Sequence, residues 1–314
     1  MITHQPQHRE KKSFRGGGIE FPHEFDQEPF LSDALDRAQV VEIIPEGFFH
    51  GKRSNLLREL NRRSIPVLVH SVEMSLGTEE PLRTNHIDQI LWVCDQVNAI
   101  ALSDHICMTR AGGVDIGQLT SLAYTEESLD ILCRNIERLQ GYLGSHGISL
   151  PLMLENITHR FKVPHNTLGE SEFILKMALR TGVGILLDVT NLYINSTNFG
   201  FDPKVYLKPL IGTDAPPNLI QGIHLAGGEW EDDKLYDTHS QKTHPEVWDL
   251  FRSIIQKTDP EVIIVEWDQD PPSVEALYQE VDKALALRWE ERSLTRKSPQ
   301  EISLFQNPHQ VLQP

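Results

Sequence analysis

Short apolar runs recur along the chain, mostly separated by segments in which apolar residues return at helical spacing. Eight of these runs have the length of a β-strand: Gly18–Phe21, Val40–Ile44, Ile65–Val69, Ala99–Leu102, Leu150–Leu154, Gly184–Leu187, Ile220–Ile223 and Glu261–Val265. Their residues are apolar almost without interruption, which is typical of parallel strands that are covered on both faces. The first run is the weakest of the eight.

The segments between the runs predict helices. The clearest follows Thr125, a favourable N-cap, and ends near Gly144. Similar segments are Ser54–Arg63, His86–Val97, Ser171–Arg180, His244–Lys257 and Ser273–Ser293. Eight strand units alternating with helices predict one closed (β/α)8 barrel, whose active site lies at the carboxyl ends of the strands. An open doubly wound sheet is the alternative, but the sequence has no glycine-rich dinucleotide loop.

The barrel accounts for residues 17–297, since barrels of this kind reach such lengths as one domain. Residues 1–16 are polar and predict a disordered leader, with the glycines at 16–18 as a hinge. Residues 298–314 predict a surface extension.

Composition limits the classes of binding partner and the cellular compartments that fit this chain. The formal net charge of −16 argues against nucleic acid or an anionic membrane as the partner. The three cysteines form no CxxC pair, so neither a disulfide framework nor a thiolate zinc site is expected. No apolar run is long enough to span a bilayer, and the N-terminal residues have no signal-peptide core. These features predict a cytoplasmic protein.

Nearly every predicted strand ends on an ionisable side chain that binds metals well. The members of this strand-end cluster are His70, His105, Glu155, Asp188, His224 and Glu266. Each alone is more simply explained as a hydrogen-bonded residue at a strand end. Together they would meet at one mouth of a barrel, where burying them without counter-ions would be very costly. The pattern therefore predicts a site for divalent metal ions.

Other polar residues are candidates with ordinary alternatives. Asp237 and His239, the outer pair, come from the loop after the seventh run and are either ligands or a solvated surface pair. Residues that could orient ligands are Asn156, Asn191 and Asp104. Residues that could contact substrate are His23, Glu46 and Trp230, although each could equally serve in a turn or in packing.

Several motifs, in order along the chain, resemble one enzyme family. They include PVLVHSVEMSLG, ALSDHICMTRAGG, LPLMLENIT, GILLDVTNLYINSTNFGFDP, QGIHLAGG, YDTHSQKTHPEVWDLF and VIIVEWD. Together they are similar to the multinuclear non-heme iron-dependent oxidative enzymes, over about residues 17–275. The resemblance implies a barrel like that of xylose isomerase, with two or three iron ions and dioxygen as co-substrate.

The resemblance also implies ligand roles. His70, His105 and Glu155 would hold one iron, and Glu155 would bridge to a second, held also by Asp188, His224 and Glu266. Asp237 and His239 would hold a third, more labile iron, with Asn191 or Asn156 nearby. The implied reaction is the oxidation of a side chain, most commonly cysteine, in a ribosomally made precursor peptide, which a partner protein often presents.

This sequence departs from the family pattern in three places. Gly47 follows Glu46 where an asparagine is usual, the first strand (IEFPHEF) lacks the usual arginine, and Glu73-Met74 stands beside the His70 motif. The departures concern the substrate-facing wall and leave the metal positions intact. A hydrolytic or isomerising barrel with two zinc or manganese ions remains the alternative enzyme class. A peptide-binding or metal-storage module is the non-enzymatic alternative.

Overall fold

The computed structural model describes residues 14–296 of the chain. Its strands are β1 (Gly16–Glu20), β2 (Val40–Ile43), β3 (Pro66–His70), β4 (Asn98–His105), β5 (Met108–Ala111), β6 (Val114–Thr120), β7 (Leu152–Glu155), β8 (Gly184–Asp188), β9 (Ile220–Leu225), β10 (Glu229–Glu231), β11 (Lys234–Tyr236) and β12 (Val262–Val265). Eight of them close a parallel barrel in the order β1-β12-β9-β8-β7-β4-β3-β2. The predicted (β/α)8 barrel is confirmed.

Helices cover the outside of the barrel. They are α1 (Phe30–Arg37), α2 (Ser54–Arg63), α3 (Thr84–Gln96), α4 (Glu126–Ser145), α5 (Glu170–Thr181), α6 (Val189–Phe199), α7 (Pro203–Ile211), α8 (Pro245–Ile255) and α9 (Val274–Arg296). The six predicted helices are present as α2, α3, α4, α5, α8 and α9. The sequence did not predict α6, because its asparagines, serine and threonines are weak helix formers. Burial of most of this helix stabilises it instead.

The glycines at 16–18 are not a hinge, as the sequence suggested, but part of β1. Gly18 pairs with Val40 in the parallel β1–β2 ladder, and a Cβ at position 18 would lie 1.9 Å from the Val40 carbonyl oxygen. Glycine is therefore needed here for the close approach of two strands rather than for flexibility. The rest of the predicted leader, through residue 13, and the predicted extension after residue 297 lie outside the described residues.

The apolar core has two parts. The larger fills the space between the strands and the helices. The smaller fills the barrel interior and consists of Val40, Leu68, Ala101, Met153, Leu186, Val262 and Ile264. Several of its members lie two residues before a member of the strand-end cluster, as Leu68 precedes His70 and Ile264 precedes Glu266. Because side chains of a strand alternate faces, residues two apart point the same way. The polar groups therefore lie above an apolar floor.

Two antiparallel hairpins lie in loops that leave the carboxyl ends of the barrel strands. β5 pairs with β6 after β4, and β10 pairs with β11 after β9. These loops belong to the face on which barrels of this type carry their active sites. Within residues 14–296, no helix is long and apolar enough to cross a membrane.

Candidate metal centre

Strand register brings the strand-end cluster together. His105 is paired with Glu155 on the neighbouring strand, and Asp188 is paired with His224. All six members are buried, with exposed fractions of 3% for His70, 7% for His105, 2% for Glu155, 0% for Asp188, 0% for His224 and 4% for Glu266. The convergence expected from the sequence is present.

The Glu155 carboxylate lies at the centre of this cluster. Its Oε2 atom is 3.4 Å from His70 Nε2, 3.5 Å from His105 Nε2 and 3.4 Å from His224 Nδ1. Oε2 is buried and accepts no hydrogen bond. Ligands bound to one cation at about 2.0–2.2 Å lie roughly 3.0–3.5 Å from one another. The observed spacing therefore fits donors that converge on cations better than donors that bond to each other.

A second set of donors adjoins the first. His224 Nδ1 lies 2.9 Å from Glu266 Oε1, yet this nitrogen has no hydrogen-bond partner, because the two groups are not aligned as donor and acceptor. Asp188 caps α6 by accepting from the Asn191 amide at 2.8 Å with Oδ1, while its buried Oδ2 has no partner. Ligand atoms of Glu155, Asp188 and His224 lie within 4.8 Å of one another. These residues could hold a second cation beside the first.

The outer pair closes the cluster on the solvent side. Asp237 Oδ1 is 2.8 Å from His239 Nε2, and neither atom forms a hydrogen bond. His239 Nε2 is also 3.8 Å from Glu266 Oε2. The other imidazole nitrogen, Nδ1, is 2.9 Å from Asp268 Oδ2. The outer pair therefore faces the strand-end cluster through Glu266.

Buried polar groups fix the orientation of the imidazoles. His70 Nδ1 is hydrogen-bonded to Ser103 Oγ at 2.9 Å, and Ser103 is its register partner on β4. His224 Nε2 is 2.9 Å from Glu42 Oε2, and Glu42 is fully buried. In each ring the bonded nitrogen leaves the other one free to face the Glu155 carboxylate. Such partners set the tautomer and raise the basicity of a ligand.

The three residues predicted to orient ligands all hold backbone around the cluster, and Asp104 also lies beside the His105 imidazole. Asn156 accepts from the Asp188 amide at 3.0 Å and donates to the Asp188 carbonyl at 2.9 Å. Asn191 donates to the Asn156 carbonyl at 3.0 Å. Asp104 accepts from the Met74 amide at 2.9 Å, while its Oδ1 is 3.8 Å from His105 Nδ1. All three therefore stabilise the loops that carry the cluster.

The candidate substrate residues lie around the mouth. Glu46 Oε1 accepts from Ser71 Oγ at 2.6 Å and is 3.1 Å from His86 Nε2, whereas the buried Oε2 has no partner. Trp230 is 55% exposed on the β10–β11 hairpin. It lines an open groove of about 660 Å³ together with Gly228, Glu229, Gln241, Lys242, His244 and Trp267. His23 is exposed in a short 3-10 helix, and no described contact joins it to the cluster.

Four residues of the site were missed at the sequence level: Glu20, Glu42, Ser103 and Asp268. Glu42 stands inside the apolar run of β2, and a lone acid in a fully buried strand is the signal that could have identified it. Glu20 lies inside the weakest run and is the last residue of β1, and its register partner on β2 is Glu42. Asp268 lies two residues beyond Glu266, outside the strand.

Several groups of this centre have raised pKa values. Burial raises the pKa of Glu42 to about 7, against the opposing effect of His224. Burial, with the nearby carboxylates of Glu155 and Glu266, also raises the pKa of Asp188 well above its ordinary value. Burial disfavours a charged His224, but the carboxylates of Glu266 and Glu42 outweigh it and raise the pKa of this imidazole well above the usual range. Without cations, the site thus holds extra protons near neutral pH.

The pKa values of His70 and Glu155 shift in the other direction. Burial and the neighbouring His105 lower the pKa of His70 well below its ordinary value. Burial favours a neutral Glu155, yet His224 and His105 outweigh it, so the pKa of Glu155 lies well below its usual range. A neutral imidazole beside an ionised carboxylate is the protonation state that metal ligation needs.

Comparison with known proteins supports one family. The family model described as RiPP precursor modification enzyme MbnB/TglH/ChrH matches residues 16–288; RiPP denotes a ribosomally synthesised and post-translationally modified peptide. The chain belongs to this RiPP precursor modification family. Among its curated relatives, a UPF0276 protein of Rhizorhabdus wittichii is 35% identical over 87% of this chain and 94% of its own length. A UPF0276 protein of Acaryochloris marina is 32% identical over 78% of this chain and 85% of its own length.

Solved structures share the fold of this RiPP precursor modification family member. A xylose isomerase domain protein from Alicyclobacillus acidocaldarius superposes with a TM-score of 0.54 at 12% identity, covering 87% of this chain and 99% of that one. Endonuclease IV from Thermus thermophilus gives a TM-score of 0.53 at 12% identity, covering 86% and 99%. The predicted likeness to xylose isomerase is confirmed for the fold. Family membership makes the chain an enzyme that modifies a precursor peptide.

Proposed function

We propose that this enzyme uses iron and dioxygen to oxidise a cysteine side chain of a ribosomally made precursor peptide. The observation that carries the proposal is the position of Glu155 Oε2, an unpartnered buried oxygen with three imidazole nitrogens at 3.4–3.5 Å. Carboxylate and imidazole donors together suit iron better than they suit magnesium or calcium, which prefer oxygen ligands. The family supports a precursor peptide as the substrate, and the sequence resemblance supports its oxidation.

We assign the donors as follows. His70, His105 and Glu155 would hold one iron. Glu155 would bridge to a second iron, held also by Asp188, His224 and Glu266, and the outer pair would hold a third with Glu266. When bound, iron supplies one-electron chemistry with dioxygen and a Lewis acid that lowers the pKa of a thiol.

The chain itself keeps the centre dry and rigid. Leu186, Ile264 and the other interior apolar residues exclude water from below. Ser103 and Glu42 fix the rings of His70 and His224, so little reorganisation accompanies binding of the peptide. The mouth is the remaining approach to the donors. We assign the groove beside Trp230 and Trp267 to the peptide backbone flanking the cysteine, and the unpartnered Glu46 Oε2 to a donor on that peptide.

The oxidised sulfur would come from the peptide rather than from this chain. Cys94, Cys107 and Cys133 are all buried. Burial raises the pKa of the Cys94 thiol to about 12 and that of Cys107 well above its ordinary value. Neither of these two thiols forms the reactive thiolate near neutral pH.

Anaerobically purified, iron-loaded enzyme is expected to change the mass of a cysteine-containing precursor peptide encoded beside its gene, and only after oxygen is admitted. Mass spectrometry of the peptide, with oxygen uptake and Mössbauer spectra of the enzyme, measures this result. Replacement of the peptide cysteine by serine is the matched control. Zinc-loaded enzyme that modifies the peptide equally well without oxygen would support the hydrolase or isomerase alternative, and an unchanged peptide under all conditions would favour a binding or storage module.

Glu42→Gln is expected to weaken iron binding by about tenfold while the barrel still folds, because the amide keeps the shape of the side chain but loses the charge facing His224 Nε2. Competition with a chromophoric chelator measures the affinity. Glu24→Gln, at an exposed position of the short 3-10 helix, is the matched control. Equal affinity in the two variants would contradict a role for Glu42 in holding His224.

A further inference from the structure

Glu20 lies at the carboxyl end of β1, between two other acidic strands. Its register partner on β2 is Glu42. On the other side, Ile19 pairs with Val265 of β12, so the next residues along both strands are Glu20 and Glu266. Three neighbouring strands thus present three carboxyl groups at one level of the barrel wall. Like charges placed side by side on a sheet are destabilising unless something compensates them.

Basic side chains do not provide that compensation. Within the part of the chain that the structure describes, the ion-pair partners of Glu42 and Glu266 are imidazoles, and Glu20 forms no ion pair with lysine or arginine. No lysine or arginine of the described residues therefore compensates these three carboxyl groups.

An imidazole faces these carboxyl groups from the loop above. Ligand atoms of Glu20, His239 and Glu266 lie within 4.8 Å of one another. His239 Nε2 and Glu266 Oε2 are both buried atoms without hydrogen-bond partners, and Glu266 is only 4% exposed. Two unpartnered donors beside a third carboxylate point to a cation as their common ligand.

Loop contacts hold the His239 backbone so that its imidazole faces Glu20 and Glu266. His239 has a positive φ of 46°, a conformation that is uncommon for residues other than glycine. Its carbonyl accepts from the Asp268 amide at 2.8 Å, and its Nδ1 is 2.9 Å from Asp268 Oδ2. Both contacts tie the loop to the end of β12, next to Glu266. A left-handed residue held from two sides keeps its imidazole directed at the strand ends.

We propose that Glu20 is a direct ligand of an outer divalent metal, which it binds together with His239 and Glu266, with Asp237 Oδ1 beside them. This inference rests on the proposed iron centre and adds a ligand to it. The added carboxylate makes the outer metal a tightly held resident of this enzyme rather than a labile one. The metal's two positive charges would then compensate most of the negative charge of the three carboxyl groups.

The test compares Glu20→Gln with the parent enzyme and with the Glu24→Gln control. Each protein is loaded anaerobically with Fe(II) alone, passed through a desalting column and analysed for metal per chain. Glu20→Gln is expected to retain about one metal fewer per chain, or to release one metal at least about tenfold faster into a chelator. A second measurement separates ligation from structure. Without metal, Glu20→Gln is expected to melt at a higher temperature than the parent, because it carries one fewer crowded carboxylate.

The outcomes distinguish this inference from the proposed function. Unchanged metal content and release rate in Glu20→Gln would overturn the assignment of Glu20 as a ligand, whatever happens to the peptide. A lower melting temperature without metal, combined with normal metal retention, would show a purely structural role and overturn it equally. Loss of one metal with no oxidation of any peptide by the parent enzyme would support the ligand assignment and count against the oxidase proposal alone.

Discussion

Alanine in place of His224 is expected to give a chain that still folds but binds the central metals far more weakly. His224 Nδ1 faces both Glu155 and Glu266, so one substitution removes a donor from between two carboxylates. Loss of a group that only supports a ligand costs about 10–100-fold in affinity, and loss of a ligand itself costs more. Metal analysis after anaerobic loading measures the retained iron, and peptide oxidation is expected to fall in parallel.

The same substitution leaves Glu42 buried without its imidazole partner, which costs about 3–5 kcal/mol when one member of a buried pair is removed. Circular dichroism therefore has to accompany the metal analysis. His146→Ala, at an exposed position after α4, is the control for loss of an imidazole as such. The double variant Glu42→Gln with His224→Ala no longer has the unpaired Glu42 carboxylate. It is expected to be more stable than His224→Ala but to bind no more metal. A folded His224→Ala enzyme with full iron content and normal turnover would refute the ligand assignment.

Removal of metal is expected to lower the melting temperature, and to lower it more at pH 8 than at pH 6. A ligand present at a thousand times its Kd stabilises the folded state by about 4 kcal/mol. In a chain of this size that corresponds to roughly 2 °C for each kcal/mol, or about 8 °C. Differential scanning calorimetry of iron-loaded and chelated protein, in both buffers, measures the two differences.

The pH dependence of stability in the metal-free protein follows from the direction of the pKa shifts. In the metal-free fold the pKa of Glu42 is raised to about 7, and that of Asp188 is raised well above its ordinary value. Groups with a raised folded pKa contribute stability below their unfolded pKa and lose that contribution as pH rises through the folded value. The raised pKa of His224 likewise lowers stability as pH rises. Metal-free protein is therefore expected to weaken between pH 6 and pH 8.

Among the lowered groups, His70 opposes this trend as pH rises through the ordinary imidazole pKa, because only the unfolded chain gives up a proton there. The raised groups outnumber it, and Glu155 adds no opposing contribution in that interval. The pKa of Glu155 is lowered, so its contribution is fully present above its unfolded pKa and is lost only in acid. Iron binding displaces the extra protons, and its apparent affinity is expected to rise over the same pH range. Metal-free protein that is as stable at pH 8 as at pH 6 would contradict the description of the site as a proton-loaded cluster.

Much of the fold was predictable because the barrel strands are apolar runs and the clear helices have strong periodicity. The strand-end cluster was predictable for the same reason, since five members directly follow such a run and His105 comes three residues after one. Glu42 could not be predicted as a site residue because it lies within an apolar run, whereas the pattern selected residues at strand ends. Glu20 and Ser103 depend on register, which links residues that are far apart in sequence.

Local sequence was least informative where tertiary contacts decide the structure. α6 forms from weak helix formers because Asp188 caps it and most of its residues are buried. The triglycine has the composition of a hinge, and only the approach of Val40 shows why glycine is required in a strand. The hydrogen bond from the Met74 amide to Asp104 also depends on a loop whose path the sequence does not reveal.

Closure of the barrel joins the first strand of the chain to the last. β1 pairs with β12, and these two strands bring Glu20 and Glu266 to the same level although about 250 residues separate them in sequence. A newly synthesised chain consequently has no complete centre until its final barrel strand has been made and docked. With the proposed ligands, metal capture would be a late step of folding that selects chains with the correct ring of strands, and a metal that spans both ends of the ring would oppose its reopening.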